Sequence, residues 1–507
     1  MKPIVMWIFA IQPIFKKNLN MPDPSKALTI QPWKWILLFG ILQISVAMLT
    51  YNMSLSFDES IWYYIGRNWF RNGLVPYQGG VDNKSPLIFI IFGISDKFSG
   101  TNEWIPRIMG TVVQCLGLYY VYKMGNYLSG GKSGWIAMTI YGLTLLWPAS
   151  GGKYASYTET YSVAAIVLAY YIYLISKSRS QYFLAGIFAG LGIAFRISAV
   201  FAVVALGLTA ILNRPRVSLQ LIGGIGLSIF LFLLLLSLAG VNLREFLVYG
   251  IKDNFGSGSP TDHTWRWKLD NFSHHFIFSA FILFFPLLVA WFFLPARPPI
   301  LFYWLLSSFV GIHFIGIYSN QHFKELLPSL ALISAFVFSY FGDKWQFSHK
   351  AMLVSIWILF TPKTIEPFIA FRNIFQKKPL EPDKYCRDPK LIVNDQAKKE
   401  LGLWIRAKTG NEEKVLVAGY GALVQAYAER VAPSIYFNAT QTGIAISRFC
   451  TDLSQAKPAL VAVPVSEEYR LMVSQNIRTA IEQLINRNYV FERCAYGYNI
   501  YRIRNIY

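Results

Sequence analysis

Two kinds of chemistry-bearing residue stand together in one polar stretch of an otherwise apolar chain. "FDESIWYYIGRNWFRNGLVPYQGGVDNKSPL" (57–87) carries Asp58, Glu59, Asp82 and Lys84, with Arg67 and Arg71 between them. A carboxylate can take the proton of an attacking hydroxyl, and a lysine can hold a phosphate. Read as a helix, "FDESIWYYIGRNWFRNG" puts Ile61, Tyr64, Ile65 and Trp69 on one face, with Arg67 and Arg71 on another. Asp58, at the start of that helix, is equally a candidate N-cap for its backbone N–H groups. Spacing leaves both roles open, although a cap needs one acid and the stretch supplies an Asp-Glu pair.

The elements that must position these residues are mostly apolar. The chain has 507 residues, 54% hydrophobic and only 15% charged, whereas a soluble protein carries about 25% charged residues. With repeated apolar runs near 20 residues, this predicts a polytopic α-helical membrane protein. The net charge of +20 comes from 47 Lys and Arg against 27 Asp and Glu. We read it as basic cytoplasmic loops, with an anionic lipid substrate as a second source, and not as a nucleic-acid surface. The N-terminal "MKPIVMWIFAIQPIFKKNLN" is broken by Pro13 and lacks a small-residue cleavage site, so no cleavable signal is expected.

Eleven apolar runs could cross a bilayer: 34–51, 104–122, 133–150, 160–176, 182–196, 197–213, 217–240, 275–294, 299–318, 323–341 and 350–370. A twelfth, "PLIFIIFGISDKF" (86–98), is too short. If it does not cross, the loops "YKMGNYLSGGKSG", "SKSRSQ", "NRPRV", "PARPP" and "GDKWQFSHK" share the cytoplasmic side with a lysine-bearing N-terminus, and only Asp343 opposes their positive charge. The segment 86–98 is then an interfacial helix on the outer face. The outer connections bring together 52–103, "GGKYASYTET" with Glu159, Arg196 at a helix turn, 241–274, and "YSNQHFK" with His322 and Lys324. Ionisable residues at a bundle's edge suggest a shared wet cavity, since a charge at the bilayer centre costs about 3 kcal/mol.

Beyond residue 371 the pattern changes. "KVLVAGYG" (414–421) and "PALVAVPV" (458–465) read as short buried strands, 467–487 as one amphipathic helix with Leu471, Ile477, Ile481, Leu484 and Ile485 inward, and 489–504 as two strands around Gly497. We therefore expect a membrane domain over 1–370 and a small α/β domain over 371–507. No G-x-G-x-x-G accompanies Gly419 and Gly421, so no nucleotide site is assigned. Cys386, Cys450 and Cys494 allow at most one disulfide within this domain, and Cys115 reads as packing in an apolar helix.

The acidic pair opening an amphipathic helix, the following "G-x-x-P-Y", "D-N-K-x-P-L" and Arg107 resemble the GT-C glycosyltransferases, on the branch of protein mannosyltransferases and the lipid A aminoarabinose transferase. "YTET", "NQHFKELLPSLALISA" and "VLVAGYGALVQAYAERVAPSIYF" follow in matching order. The resemblance implies an inverting glycosyltransferase of the hexosyl or pentosyl class. It would move a sugar from a polyprenyl-phosphate donor to a hydroxyl on lipid, glycan or protein. Its site would face outward from a plasma or inner membrane, with interfacial helices in the first outer loop, a cytoplasmic N-terminus and an extracytoplasmic C-terminal domain. Asp58 matches the catalytic carboxylate and Lys84 the lysine that holds the departing phosphate. Glu159 matches a second acidic position that orients the acceptor or holds a divalent cation; no other cofactor is implied. Glu59, Arg196, His322 and Lys324 are further candidates for phosphate or sugar contact.

Two positions depart from the pattern. Asn83 stands where the aminoarabinose branch has Glu, and "H-F-K" replaces "H-Y-F", adding Lys324. Arg107 reads as a brace for an acid of the same loop, and Arg67 and Arg71 as contacts to lipid headgroups. His263, His274 and His275 have no metal-binding spacing, and their loop reads as an aromatic lid. The alternatives to an enzyme are a flippase for lipid-linked sugars and a non-catalytic accessory subunit. A flippase would show polar residues at mid-membrane and repeated halves, and neither is evident.

Overall fold

The computed structural model describes residues 31–48, 54–102, 104–148, 156–252, 265–274, 276, 281–295, 297–315, 318–369, 381–438 and 444–504. Among the described residues, each of the eleven apolar runs overlaps a helix. They are α1 (Pro32–Met48), α4 (Trp104–Ser129), α5 (Gly131–Leu145), α6 (Thr158–Ile175), α7 (Arg179–Phe195), α8 (Ala199–Asn213), α9 (Pro215–Leu238), α10 (Phe284–Phe292), α11 (Pro299–Ile315), α12 (Leu327–Lys344) and α13 (His349–Ile369). By length and composition alone, two of the described helices are long and apolar enough to cross a membrane, α6 and α9. Pro32–Met48, Ala199–Asn213, Phe281–Phe292 and Pro299–Phe314 are apolar but 10–17 residues long, short of or at the lower limit for a span.

The bundle is apolar outside as well as inside. Along α9, Leu219, Phe230, Leu235 and Leu238 are exposed by 59–76%, which is the surface a lipid-facing helix presents. Close helix crossings use small residues. A Cβ on Gly186 of α7 would stand 2.1 Å from the Leu221 carbonyl oxygen of α9, so only glycine permits that approach.

Two helices lie between α1 and α4: α2 (Phe57–Asn72) and α3 (Pro86–Ser99). They cross where Gly66 meets Gly93, each leaving no room for a side chain. The segment 86–98 is thus a separate 14-residue helix packed on α2.

The C-terminal region holds a four-stranded sheet of order β1-β2-β4-β3, from β1 (Val415–Val417), β2 (Leu460–Pro464), β3 (Tyr489–Ala495) and β4 (Tyr498–Ile503). β1 and β2 run parallel, Val415 opposite Leu460, and the other pairings are antiparallel. The helices α14 (Asp395–Lys408) and α15 (Ala422–Ala428) pack beside it. The single helix expected over 467–487 is two, α16 (Glu467–Met472) and α17 (Gln475–Asn488). The break at Val473–Ser474 turns Leu471 outward, 84% exposed, while Ile477, Ile481 and Leu484 are buried as expected. One disulfide joins Cys386 to Cys494, and Cys450 is exposed. The expected boundary at 370/371 lies outside the described residues.

Candidate active site

The first turn of α2 separates its two acids. Ser56, not Asp58, caps the helix: its Oγ accepts the Glu59 N–H at 3.2 Å, while the Ser56 N–H donates to Glu59 Oε2 at 2.9 Å. This reciprocal capping box satisfies two backbone donors and leaves Asp58 out of the cap, correcting that reading. Glu59 is fully buried and receives Arg107 Nε on Oε1 at 3.2 Å and Nη2 on Oε2 at 3.0 Å. Both of its oxygens are therefore occupied, which fits a brace for α2 against α4 and not the substrate contact expected of it. Arg107 is that brace's cation, as expected.

Asp58 is half-buried at the mouth of the site, and Gln321 Nε2 donates to its Oδ2 at 3.4 Å. Asp82 and Lys84, on the loop returning toward α3, are half-buried too. Trp62 Nε1 donates to Asp82 Oδ2 at 3.2 Å, and Lys84 Nζ donates to Asn83 Oδ1 at 3.1 Å. Burial pushes Asp58 up to about 6; Lys84 acts against that, and the charges of Asp82, Glu159 and Glu59 reinforce it. Asp82 is also raised by burial, with Lys84 the largest opposing influence. Asp58, Asp82, Lys84 and Glu159 thus share one electrostatic neighbourhood, though they come from α2, the returning loop and α6.

Behind this mouth is a buried ion network. Glu159, in the first turn of α6, receives Arg196 Nη1 at 2.8 Å and the Thr158 hydroxyl at 2.9 Å, with His322 Nε2 3.7 Å away. Arg196, at the end of α7, also donates from Nε to Glu325 Oε1 at 2.5 Å, and the Ser198 hydroxyl joins the same oxygen at 2.8 Å. Lys324 is buried; its Nζ donates to Thr160 Oγ1 at 3.1 Å and lies 5.9 Å from the Tyr157 ring centroid. His322, Lys324 and Glu325 are delivered by one 3-10 turn, Asn320–Glu325. The Ser85 hydroxyl, beside Lys84, donates to the Ala194 carbonyl and so ties the lysine's loop to the end of α7 that carries Arg196.

Every expected site residue that is described lies in this neighbourhood. Asp82, Gln321 and Glu325 join them. All three are close in sequence to residues singled out for function, but no pattern separates them from ordinary loop polars. Among the described residues no group of three or more His, Cys, Asp or Glu is placed to hold a metal ion. Glu159, the candidate cation ligand, has its oxygens occupied by Arg196 and Thr158. His263, His275 and residues 253–264 of the expected lid lie outside the described residues; Trp265–Ser273 is helical.

Arg67 and Arg71 do not reach outward to headgroups as expected. Arg67 is 4% exposed and pairs with the fully buried Asp96 of α3 at 2.7 Å; its Nη1 also donates to the Ala426 carbonyl at 2.7 Å. Arg71 Nε lies 2.6 Å from the other Asp96 oxygen. These arginines lock α2 to α3 and both to the C-terminal region. The headgroup reading failed because spacing gave no sign that the interfacial helix would turn Asp96 toward both arginines.

Comparison with known proteins bears on this arrangement. Residues 83–239 match the family model of dolichyl-phosphate-mannose-protein mannosyltransferases. No curated protein sequence matches. The fold is similar to that of ArnT from Cupriavidus metallidurans bound to undecaprenyl phosphate, with a TM-score of 0.64 and 12% identity over 94% of this chain and 99% of that one.

The chain has the GT-C fold.

The apo state of the same ArnT gives a TM-score of 0.62 at 13% identity, over 93% of this chain and 98% of that one. The Archaeoglobus fulgidus oligosaccharyltransferase AglB, in complex with an inhibitory peptide and a dolichol-phosphate, gives 0.51 at 14% identity, over 94% of this chain and 75% of that one. At these identities the likeness is one of fold.

Proposed function

We propose that this protein is an integral membrane glycosyltransferase that moves a sugar from a polyprenyl-phosphate donor to a hydroxyl acceptor on the outer face of the membrane. The observation that supports this reading is that Asp58 and Lys84 are both half-buried and that Lys84 is the largest influence opposing the burial that raises Asp58 to about 6. A base with that affinity is mostly ionised at neutral pH yet still binds a proton well. The fold of proteins solved with undecaprenyl phosphate and dolichol-phosphate supports a lipid-linked donor.

In the proposed reaction the acceptor oxygen attacks the anomeric carbon from the face opposite the phosphate, giving inversion. The bond from that carbon to the phosphate oxygen breaks, and the polyprenyl phosphate leaves with the electron pair. Asp58 takes the hydroxyl proton, which is worth roughly 10²–10⁴ in rate. Lys84 meets the charge that grows on the leaving phosphate, so it stabilises the transition state more than the bound donor. Arg196, held between Glu159 and Glu325, fixes the site's inner wall. His322 and Lys324 reach the same wall and are assigned to sugar or phosphate contact.

Sidedness follows from charge: the eleven-span reading puts the basic loops inside and this mouth outside. The Cys386–Cys494 disulfide supports an extracytoplasmic C-terminal domain, because such bonds persist in oxidising compartments. The test uses the purified protein in lipid nanodiscs with polyprenyl-phosphate sugars and candidate glycolipid acceptors. Mass spectrometry should find a glycosylated product and free polyprenyl phosphate with the wild type and not with Asp58→Asn. Full activity in that variant would remove Asp58 as the base. Movement of lipid-linked sugar across the bilayer without a covalent product would favour a flippase.

A further inference from the structure

The proposed reaction gives no work to Asp82, the second acid of the mouth. It belongs to the short segment 81–85 that leads into α3, and this segment is fastened at three points. Upstream, the Val81 N–H donates to the Ile435 carbonyl at 3.2 Å. Downstream, the Ser85 hydroxyl donates to the Ala194 carbonyl. Asp82 is the fastening between them. Its Oδ2 accepts Trp62 Nε1–H at 3.2 Å, and the backbone N–H groups of Asn83 and Lys84 also bond to its carboxylate. A carboxylate that takes the N–H groups of the residues after it turns the chain, and the backbone bends at Asn83 and Lys84.

Trp62 is itself held in place. It is fully buried on α2, with the Phe92 ring of α3 edge-on at 5.3 Å and the Tyr157 ring, just before α6, edge-on at 5.4 Å. A ring packed from two sides aims its N–H in one direction. The Tyr157 hydroxyl donates in turn to Ser56 Oγ, the cap of α2, at 3.2 Å. Trp62 follows Asp58 by four residues, so the two share a face of α2. Asp82 thus ties the Lys84 bend to the helix face that carries the proposed base. It grips the lysine by its backbone, while Lys84 Nζ turns to Asn83 Oδ1 at 3.1 Å.

We propose that Asp82 is a positioning residue for the transfer: through Trp62 and the bend that follows it, Asp82 sets Lys84 in a fixed place beside Asp58. The inference rests on the glycosyltransferase reading for the roles of Lys84 and Asp58, but the coupling of Asp82 to Lys84 can be measured without turnover. Charge and position pull phosphate binding in opposite directions. A carboxylate beside a phosphate repels it, so removing that charge alone would tighten binding. Removing a positioning group loosens the lysine and weakens binding. Asp82→Asn keeps the size of the side chain, but an amide nitrogen accepts no N–H. The three N–H donors then face one acceptor oxygen in place of two.

The test is a double-mutant cycle on undecaprenyl-phosphate binding, by native mass spectrometry of the full-length protein in nanodiscs at neutral pH. Lys84→Met should weaken binding. Asp82→Asn should weaken it about threefold or more, and no further once Lys84→Met is present. Trp62→Phe, which keeps both a ring and the Asp82 charge, should do the same. In sugar transfer each should lower kcat about tenfold, with a smaller rise in the donor KM. The acid limb of the pH–rate profile separates charge from position. Asp58 faces Asp82 and Lys84 from the loop, Glu159 from α6, Arg196 from α7 and Glu59 on its own helix. Of these Asp82 raises it, so the limb should move down in Asp82→Asn and move less in Trp62→Phe. The inference is overturned if Asp82→Asn tightens phosphate binding or leaves it unchanged, or if its effect is as large without Lys84. Transfer that falls as far in Asp82→Asn as in Asp58→Asn would overturn it too, by making Asp82 a base. Undiminished binding in Lys84→Met would overturn both the inference and the proposed function. Coupling of Asp82 to Lys84 in a protein that transfers no sugar from any donor would leave the inference standing and overturn the proposed function alone.

Discussion

At the mouth, Asp58 and Asp82 are half-buried and look toward a single lysine; deeper in, Glu159 and Glu325 are fully buried and share Arg196. The inner carboxylates have a guanidinium fixed between them, with Thr158 and Ser198 completing their hydrogen bonds. For Glu159 burial alone would raise the carboxyl, but Arg196, His322 and Lys84 outweigh it and hold it down to about 2, so it keeps its charge. The mouth carboxylates are desolvated but incompletely neutralised, so their proton affinity rises into the range where a base works. The contrast repeats within one helical turn. Glu59 is pinned by Arg107 and the capping box, whereas Asp58, one residue earlier, lies outside the cap. The difference teaches where to look for chemistry in this fold: in the acids whose charge is least well compensated, not in those most deeply buried.

The sharpest way to break this contrast is to remove the mouth acid. Asp58→Asn should reduce transfer by roughly 10²–10⁴, measured as glycosylated product per enzyme, while the protein remains folded. Its effect on stability should have the opposite sign from that of an ordinary ion-pair loss. Because the folded-state affinity is raised from 3.8 to about 6, the ionised carboxylate opposes folding. Stability from this group is present at low pH and lost as pH rises through about 6. The Asn variant should therefore be at least as heat-stable as the wild type at pH 7.

The inner network should respond in the reverse manner. Arg196→Ala strands two buried carboxylates, and Arg107→Ala strands Glu59; each should cost about 3–5 kcal/mol, seen as a lowered thermal midpoint in detergent. If Arg196→Ala instead unfolded at the wild-type temperature and lost only turnover, the division between frame and mouth would be wrong. Lys84→Met is expected to lower the rate by roughly 10²–10³. It should also move the acid limb of the pH–rate profile upward, because Lys84 holds Asp58 down. In the wild type that limb should lie near pH 6, with the rate falling about tenfold per unit below it. The smallest effect is expected on the exposed pair Lys132–Asp343, 50% and 63% exposed. Lys132→Ala should change stability by less than about 1 kcal/mol.

Much of the frame was legible before any coordinates. Apolar periodicity located the helices, and alternation around Gly497 located the last two strands, because burial of a face imposes its period on the sequence. The break between Met472 and Gln475 was not legible, since Leu471 fits the helical spacing of its neighbours and only packing turns it outward. In the site, Asp58, Lys84, Glu159, Arg196, His322 and Lys324 were named from position and residue type. Asp82 was noted only as a charge of the opening stretch, Gln321 and Glu325 were not singled out, and the cap role left open for Asp58 belongs to Ser56.

The sequence by itself determined that apolar helices carry a charged outer-type loop, and which residue types are available to take a proton and hold a phosphate. These properties are written in local composition and spacing. The tertiary structure alone decided which acid is braced and which is poised, that Arg67 reaches Asp96 and Ala426 instead of lipid, and that Cys386 pairs with Cys494. Each of those outcomes depends on partners far along the chain, 359 residues apart for Arg67 and Ala426. Proton affinity and ion pairing are set by burial and distance, and neither exists until the chain has folded.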